Sequence, residues 1–221
     1  QKGNSLLRNG EDLGEVSLDL EVDGQEITIV TDPYDESYGL KVQKFQADIV
    51  TISHGHNDHN NIESIKGEPF IIKTPGEYET KGVFIYGLPA YHDNQEGRER
   101  GNIVIFKINT EDISLVHLSD LGHDLSDELL DKIGNVDILL LPVGGTYTID
   151  AKKASEIVSA IEPRIVIPMH YQIPELKLKN KLDSVENFLK ESGLPSETMD
   201  KLKIAKKDLP QDETKVIILN P

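Results

Sequence analysis

The sequence predicts an α/β (α+β) fold of four layers, αββα, in which two β-sheets pack face to face and helices cover them from outside. The early strand-like runs follow one another as hairpin neighbours, and the later ones alternate with helix-like segments. This order is typical of sheets and helices layered around one core. A chain of 221 residues with 37% hydrophobic residues can bury a substantial core, and no Pro- or Ser-rich linker divides it. We therefore expect a single domain over residues 1–221.

The predicted strands are short runs rich in branched apolar residues with turn residues at their ends. They are Val16–Val22, Glu26–Thr31, Asp48–Ser53, Phe70–Lys73, Gly82–Gly87, Asn102–Asn109, Asp112–Leu118, Asp137–Leu141, Arg164–Met169 and Lys215–Leu219. Helical periodicity is clearest in Ser126–Ile133, Ala151–Ile161 and Leu182–Lys190. Ser126 and Asp150 are suitable caps for the first two helices, since their side chains can accept a hydrogen bond from the first helical turn.

Charge and hydropathy limit the kinds of partner. The formal net charge of -16 repels phosphate backbones, so extended nucleic acid is a poor candidate substrate. The longest apolar runs are far shorter than the roughly 20 residues that cross a bilayer, and no basic region precedes an apolar stretch at the start. We expect a cytoplasmic protein that acts on a small molecule, away from membranes.

Histidines concentrate at the end of the predicted strand Asp48–Ser53. There the chain reads Ser53-His54-Gly55-His56-Asn57-Asp58-His59-Asn60. A strand that ends in a turn can aim the first two histidines at one point and the Asp58–His59 pair at a second, while Gly55 relieves crowding. The chain has no cysteine, so a transition-metal site must use imidazole and carboxylate ligands, which suit zinc, iron and nickel or bridging positions. The alternative is a polar surface turn that happens to be rich in histidine.

The pattern His-x-His-x-Asp-His resembles the signature motif of the metallo-β-lactamase superfamily. His92, Asp120 and His170 follow later strands in the order of that superfamily's remaining motifs. Three longer stretches resemble a little-characterised branch whose members are described as metal-dependent hydrolases: His117-Leu-Ser-Asp120-Leu-Gly-His123, Leu140-Leu-Pro-Val-Gly-Gly145 and Ile165-Val-Ile-Pro-Met-His-Tyr171. The resemblance spans about residues 26–172. It implies the αββα sandwich of that superfamily, with a metal site at one edge between the two sheets.

The resemblance also implies the ligands. One metal would be held by His54, His56 and His92, the other by Asp58, His59 and His170, and Asp120 would bridge them. One or two divalent ions are implied, with zinc first and manganese or iron as alternatives. Judged alone, His92 and Asp120 would be ordinary loop and turn residues. An unpaired His170 buried after an apolar run would be costly, which favours a metal partner on physical grounds as well.

Four further residues are candidates for supporting the ligands or binding substrate. His117 and His123 flank Asp120, and we interpret His117 as a strand residue or a residue that orients a ligand. Arg98 and Arg100 follow His92 and could bind an anionic substrate group through forked hydrogen bonds. The alternative for both arginines is a solvated loop charge.

The sequence departs from this branch at two places. Its members usually open with a strand of the form apolar-Gly-His-apolar-Cys-Phe, but this chain begins Gln1-Lys2-Gly3-Asn4. We therefore expect the first strand to be absent or different. The aspartate motif reads Ser119-Asp120 where many relatives have Gly-Asp. Because Ser119 is still small, we retain Asp120 as a candidate ligand.

The implied function is hydrolysis. A divalent metal can lower the pKa of bound water from about 15.7 towards 7, and the resulting hydroxide would attack an ester, lactone, amide or phosphodiester of a small molecule, including an anionic one. Asp58 would be a ligand and a catalytic residue that orients water and assists proton transfer. The alternatives are a nuclease of the same superfamily, a diiron redox protein, which would usually have Glu in place of His56, and a non-catalytic metal-binding module.

Overall fold

The predicted elements are present in the predicted order in a computed structural model of the protein, which describes residues 5–9, 16–22, 24–42, 44, 46–110 and 113–220. The strands within these residues are β1 Ser5–Asn9, β2 Val16–Val22, β3 Gln25–Thr31, β4 Ile49–Thr51, β5 Phe70–Ile72, β6 Gly76–Thr80, β7 Val83–Tyr91, β8 Asn102–Asn109, β9 Ser114–His117, β10 Ile138–Pro142, β11 Ile165–Met169, β12 Ser196–Met199, β13 Leu202–Ile204 and β14 Lys215–Leu219. The α-helices are α1 Asp127–Ile133, α2 Ala151–Ile161 and α3 Val185–Ser192, and 3-10 turns lie at Glu36–Tyr38, Ile62–Ser64 and Lys206–Asp208.

The strands form two mixed sheets. The first has the order β13-β1-β2-β3-β4-β5, and the second has the order β12-β14-β11-β10-β9-β8-β7-β6. Hairpin-connected neighbours such as β2–β3 and β7–β8 are antiparallel. The pairs β3–β4, β9–β10 and β10–β11 are parallel, and helices α1 and α2 connect the last two pairs. The predicted change from hairpins to strand–helix alternation is therefore confirmed.

Two cores follow from the alternation of side chains along each strand. Ile29 and Leu140 belong to the core between the sheets. Leu139, next to Leu140, faces the other way and joins a core with Ala154 of α2 and Phe188 of α3. The helices therefore cover the outer face of the eight-stranded sheet, as the sandwich requires.

The layer outside the six-stranded sheet is thin. Val30 and Val50 on the outer face of this sheet pack with Ala47. Ile62 and Ile65, in and after the 3-10 turn Ile62–Ser64, pack against the same cluster. Within the described residues this side of the αββα fold is thus covered by short turns, whereas all three α-helices lie on the other side.

The boundaries differ from prediction mainly at sheet edges. Strand β6, an edge strand of mostly exposed residues, was not predicted because exposure removes the apolar alternation that marks a strand. Strands β1, β12 and β13 were also missed, and β1 pairs with β2 although the opening residues lack the family pattern. The predicted strand Asp112–Leu118 is present as β9, with Asp112 outside the described residues. The third helix begins at Val185, three residues after the predicted start.

The topology brings several loops to one edge. The carboxyl ends of β3 and β4 meet those of β7, β9 and β11, because these strands run in the same direction within their sheets. The backbone N–H of Val104 in β8 donates to Ser53 O after β4 at 2.9 Å and joins the two sheets at this point. Among the described residues, no helix is long and apolar enough to cross a membrane.

Candidate metal centre

The histidine-rich segment forms a tight turn directly after β4. The His59 N–H donates to His56 O at 3.0 Å, and the Asn60 Nδ2 donates to Gly55 O at 2.8 Å. A Cβ at Gly55 would meet no atom within 4 Å. The prediction that Gly55 relieves crowding is therefore wrong, since the turn has room for a side chain there. The hydrogen bonds of the turn, rather than its glycine, set the direction of the histidines.

His54, His56 and His92 form the first group. Each offers one ligand atom, and these atoms lie within 4.8 Å of one another. His54 Nε2 is 2.9 Å from His56 Nδ1, and the His92 ring centre is 5.0 Å from that of His54 and 5.2 Å from that of His56. His56 is exposed, so the group opens to solvent on one side.

Asp120 lies at the centre of the second group. Its Oδ2 is 3.3 Å from the Nε2 of both His59 and His92, and 3.6 Å from the Nε2 of His170. Asp58 Oδ2 is 3.7 Å from His59 Nε2. The structure thus brings all seven candidate ligands together, with Asp120 between the two groups.

Asp32, which the sequence analysis did not single out, supports His59 from behind. It follows β3 and is fully buried. Its carboxylate lies 3.1 Å from His59 Nδ1 and accepts hydrogen bonds from the Ser53 N–H at 2.6 Å and the Ser53 hydroxyl at 2.5 Å. Ser53 Oγ is in turn 2.8 Å from His54 Nδ1. Asp32 therefore fixes the ring of His59 with its Nε2 towards Asp120. An acidic residue immediately after a buried strand was the available signal.

Three residues of the site have left-handed backbone conformations. Asp32 has φ 45°, Ser119 has φ 55° and His170 has φ 52°. Such conformations are uncommon outside glycine and cluster at functional sites. Glycine adopts the conformation of Ser119 without strain, so a serine there needs support from its surroundings. The Ser119 hydroxyl donates to Val104 O at 2.7 Å, which helps to hold the serine in this conformation.

Two glycines allow the ligand-bearing loops to touch. A Cβ at Gly122 would lie 2.3 Å from His92 O, and a Cβ at Gly144 would lie 2.2 Å from His170 O. Only a residue without a side chain can make either approach. The loop after β9 therefore packs on the backbone of His92, and the loop after β10 packs on that of His170.

Burial and neighbouring charges shift the pKa values of the candidate ligands in different directions. Burial lowers the pKa of His54 to about 3 and also lowers the pKa of His170. Burial would lower the pKa of His59 too, but the carboxylates of Asp120 and Asp32 raise it well above its usual value. Although burial opposes ionisation of Asp120, the neighbouring His59 and His170 hold its pKa well below the usual range. The two carboxylates on either side therefore favour the protonated form of His59.

The donor atoms fit a divalent metal. His59 Nε2 is buried without a well-aligned hydrogen bond, although the oxygens of Asp120 and Asp58 lie within 4 Å of it. Leaving a buried polar atom unpaired costs about 1–3 kcal/mol, so such an atom calls for a partner. Imidazole nitrogens and carboxylate oxygens converging on one volume are the ligands of zinc and of other transition metals.

His117 and His123 lie outside this group of ligands. His117 is fully buried, and neither of its ring nitrogens has a hydrogen-bond partner among the described residues. His123 Nε2 accepts from the Tyr91 N–H at 3.1 Å, while its Nδ1 donates to Asp124 O at 2.7 Å. Because both nitrogens of His123 are engaged, its ring supports the strand that carries His92.

The two arginines differ from each other. The side chain of Arg98 is 76% exposed and lies 3.4 Å from the neighbouring Glu96, as a solvated loop charge would. The Arg100 guanidinium lies over the Tyr147 ring, 6.0 Å from its centre. The loop that carries both arginines is fixed by Asp93, whose buried carboxylate accepts four backbone N–H groups. Of the two arginines, Arg100 is thus the better candidate for binding an anionic substrate group.

Tyr38 is a further residue of the site that the sequence analysis missed. It ends the 3-10 turn Glu36–Tyr38, close enough to Asp58 for the charge of that carboxylate to act on its phenol. Burial and the charge of Asp58 raise the pKa of Tyr38 to about 12, so this phenol keeps its proton at neutral pH. Nothing in the local sequence marks Tyr38, because tertiary contacts alone bring it to Asp58.

Comparison with known proteins agrees with this fold and site. Residues 12–170 match a family described as the beta-lactamase superfamily domain. A UPF0173 metal-dependent hydrolase of Staphylothermus marinus is 31% identical, covering 68% of this chain and 76% of that protein. A UPF0173 metal-dependent hydrolase of Thermococcus onnurineus is 29% identical over an alignment that covers 65% of this chain and 76% of that protein.

Among solved structures, a Thermotoga maritima protein of the metallo-β-lactamase superfamily is 32% identical with a TM-score of 0.76. The similarity covers 98% of this chain and 100% of that chain. The paired sheets and the histidine–aspartate cluster at their edge define a metal-dependent hydrolase of the metallo-β-lactamase fold. The chain belongs to the beta-lactamase superfamily domain family.

Proposed function

We propose that this protein hydrolyses a small-molecule ester, lactone, amide or phosphodiester with one or two divalent metal ions bound at the histidine–aspartate cluster. The observation that carries the proposal is the convergence of five imidazoles and two carboxylates at one sheet edge, where His59 Nε2 is buried beside Asp58 and Asp120 without a well-aligned hydrogen bond. No serine or cysteine nucleophile is required for such a reaction.

His54, His56 and His92 would hold one ion, and Asp58, His59 and His170 the other, with Asp120 as the shared ligand. Zinc is our first choice of metal, because the donor set suits it and the Thermotoga maritima relative is described as a candidate zinc-dependent hydrolase. Manganese and iron are the alternatives. When bound, a divalent ion supplies Lewis acidity and makes water a nucleophile near neutral pH.

The protein's own residues would then orient the reactants. Asp58 is half-buried beside His59 at the open side of the site, where its carboxylate can hold a proton of the attacking water and pass it to the leaving group. Asp120, nearly fully buried, is better suited to neutralising charge than to moving protons. Asp32 keeps His59 in one orientation through Nδ1.

An anionic group on the substrate is consistent with the loop after His92. Arg100 lies over the Tyr147 ring and is 35% exposed; one guanidinium nitrogen is 3.8 Å from Glu99, and its other donors remain for a carboxylate or phosphate. Because the chain as a whole is acidic, a single small anion can be held locally while an extended polyanion is repelled. A small-molecule substrate and a cytoplasmic location remain predictions.

The test is a metal analysis of gently purified protein, followed by a hydrolysis screen. The panel contains esters, lactones, amides and phosphodiesters, each assayed after chelation and after reloading with zinc, manganese or iron. We expect turnover of at least one class that chelation abolishes and one metal restores. A protein that binds metal but hydrolyses none of these substrates would support the alternative of a metal-binding module. Turnover that persists after complete metal removal would contradict the proposal.

A further inference from the structure

Ser53, the residue directly before the histidine turn, is held in place by its backbone. Its N–H donates to Asp32 Oδ1 at 2.6 Å, and its carbonyl oxygen accepts from the Val104 N–H at 2.9 Å. The preceding Ile52 N–H donates to Ile72 O at 2.8 Å. Ser53 itself is buried, with 2% of its surface exposed. Because these bonds all use backbone atoms of this segment, the chain would keep its position at Ser53 without the hydroxyl group.

The Ser53 hydroxyl lies between Asp32 and His54. It donates to Asp32 Oδ2 at 2.5 Å, and its oxygen is 2.8 Å from His54 Nδ1. A hydroxyl has one proton, and an ionised carboxylate can only accept, so this proton lies on the Asp32 side. The Ser53 oxygen is then the acceptor in its contact with His54. His54 Nδ1 must carry the proton of that contact, since a bare Nδ1 would place two lone pairs against each other at 2.8 Å.

We propose that Ser53 is a positioning residue of the metal centre: its hydroxyl fixes the tautomer of His54 with the proton on Nδ1, which leaves Nε2 to bind metal. This inference rests on the proposed function, because it assumes that His54 is a metal ligand. A metal-binding imidazole is neutral, and the hydrogen bond of one ring nitrogen sets which nitrogen is the ligand. His54 Nε2 lies 2.9 Å from His56 Nδ1, so the free lone pair is on the side of the first group of ligands.

Ser53 also extends the support that Asp32 gives to the metal centre. Asp32 contacts His59 Nδ1 directly at 3.1 Å and reaches His54 Nδ1 through the Ser53 hydroxyl. One buried carboxylate thus supports one candidate ligand of each proposed metal ion. Removing the Ser53 hydroxyl should disturb the ion at His54, whereas removing the Asp32 charge should disturb both ions. Groups that orient a ligand in this way typically change metal affinity or activity by about 10–100-fold when removed.

The test is Ser53→Ala, with Ser64→Ala as the matched control. Ser64 is also buried, and its hydroxyl donates one hydrogen bond, to Asn61 O at 2.7 Å, outside the ligand cluster. The His54 tautomer is measured at neutral pH from proton–nitrogen correlation NMR spectra of metal-free protein with isotope-labelled histidine. The signals of His54 are identified by their loss in His54→Gln. We expect the proton on Nδ1 in the wild type and in Ser64→Ala, and a marked population with the proton on Nε2 in Ser53→Ala.

Zinc affinity is measured on the same proteins by chelator competition. We expect Ser53→Ala to bind zinc about 10-fold more weakly than the wild type, or weaker still, while Ser64→Ala matches the wild type. Each variant loses one hydroxyl hydrogen bond of a buried serine, so a general loss of stability would affect both. Thermal unfolding of the metal-free proteins measures that loss separately from metal binding.

A wild-type His54 with its proton on Nε2 would overturn the inference. An unchanged tautomer in Ser53→Ala would also overturn it, as would wild-type zinc affinity of that variant. The tautomer is measured without turnover, so the two proposals can fail separately. If Ser53→Ala behaves as expected while the wild type hydrolyses nothing, the positioning role stands and the proposed hydrolysis fails. If the wild type is active and Ser53→Ala is unaltered, the proposed hydrolysis stands and the positioning role fails.

Discussion

Single residues set the geometry of this site through hydrogen bonds that hold the ligand side chains and their strands in place. Asp32 has both oxygens engaged by Ser53 and His59, and it accepts these contacts from a strained left-handed backbone. His123 uses both ring nitrogens outside the cluster. The occupied ring nitrogens thus mark His123 as a support, and the contact between His59 Nδ1 and Asp32 leaves His59 Nε2 towards Asp120.

Asp32→Asn should weaken metal binding without removing a ligand. An amide can no longer stabilise the charged or metal-bound form of His59 as a carboxylate does, so we expect metal affinity to fall by about 10–100-fold. The measurement is chelator competition on the folded protein. Asp48→Asn is the matched control, because Asp48 lies at the other end of the same sheet and pairs with Lys81. Equal affinities for the Asp32→Asn protein and the wild type would show that Asp32 does not support His59.

The proton on His59 predicts how metal binding depends on pH. The pKa of His59 is raised well above its usual value, so metal must displace this proton from the neutral-pH protein. Below that pKa, each unit of rising pH should strengthen apparent metal affinity by about 10-fold for the one proton released. Calorimetric titration in two buffers of different ionisation enthalpy counts the protons directly. Binding that releases no proton and is constant between about pH 6 and 8 would contradict this assignment.

At the level of elements, the ligands stand where strands of one direction end. His54 follows β4, His92 follows β7, Asp120 follows β9 and His170 follows β11. The sequence could predict these positions because each ligand directly follows an apolar run, and the order of the motifs matched a family. It also predicted the side-chain caps of α1 and α2, which both form.

Other parts of the site could not be predicted from local patterns. The position of Asp32 directly after a buried strand was a signal for a functional residue, but only the fold shows that it meets His59. Tyr38 comes near Asp58 only because the fold places two separate turns side by side. The edge strands β6 and β12 were missed because their exposed residues lack apolar alternation. Sequence patterns thus predicted buried strands and the ligands at their ends better than exposed edges and supporting contacts.

Gly144→Ala tests the contact between two of these loops. The new methyl carbon would lie 2.2 Å from His170 O and 2.9 Å from the Tyr171 Cα, so the backbone that carries His170 must move. We expect a lower unfolding temperature, equivalent to about 1–3 kcal/mol or more, together with weaker metal binding. Gly55→Ala is the control, since its methyl group would meet nothing within 4 Å. If both variants bind metal as the wild type does, the close approach does not hold His170 in place.

Across the whole molecule, the two ends of the eight-stranded sheet have different characters. The carboxyl ends of its parallel strands carry the histidine–aspartate cluster. The amino ends border a polar cleft of about 940 Å³ whose lining includes Asn109, Asp137 and Arg164. Arg164 donates there to the carbonyls of Pro210 and Gln211, and Asp137 pairs with Lys206. Arg164 and Asp137 of this cleft are thus engaged with the backbone and with Lys206, whereas the ligand atoms of the cluster converge on one volume.

Asp120 is expected to join two metal sites, while His123 only supports them. The direct measurement is metal stoichiometry after dialysis for the wild type, Asp120→Ala and His123→Ala. Asp120 lies within 4 Å of His59, His92 and His170, so its loss should remove a ligand from both sites and expose the repulsion between two close cations. We predict that Asp120→Ala lowers occupancy sharply, while His123→Ala keeps nearly all of its metal. If His123→Ala loses its metal and Asp120→Ala retains two equivalents, the centre is built around His123 and the role assigned to Asp120 is wrong.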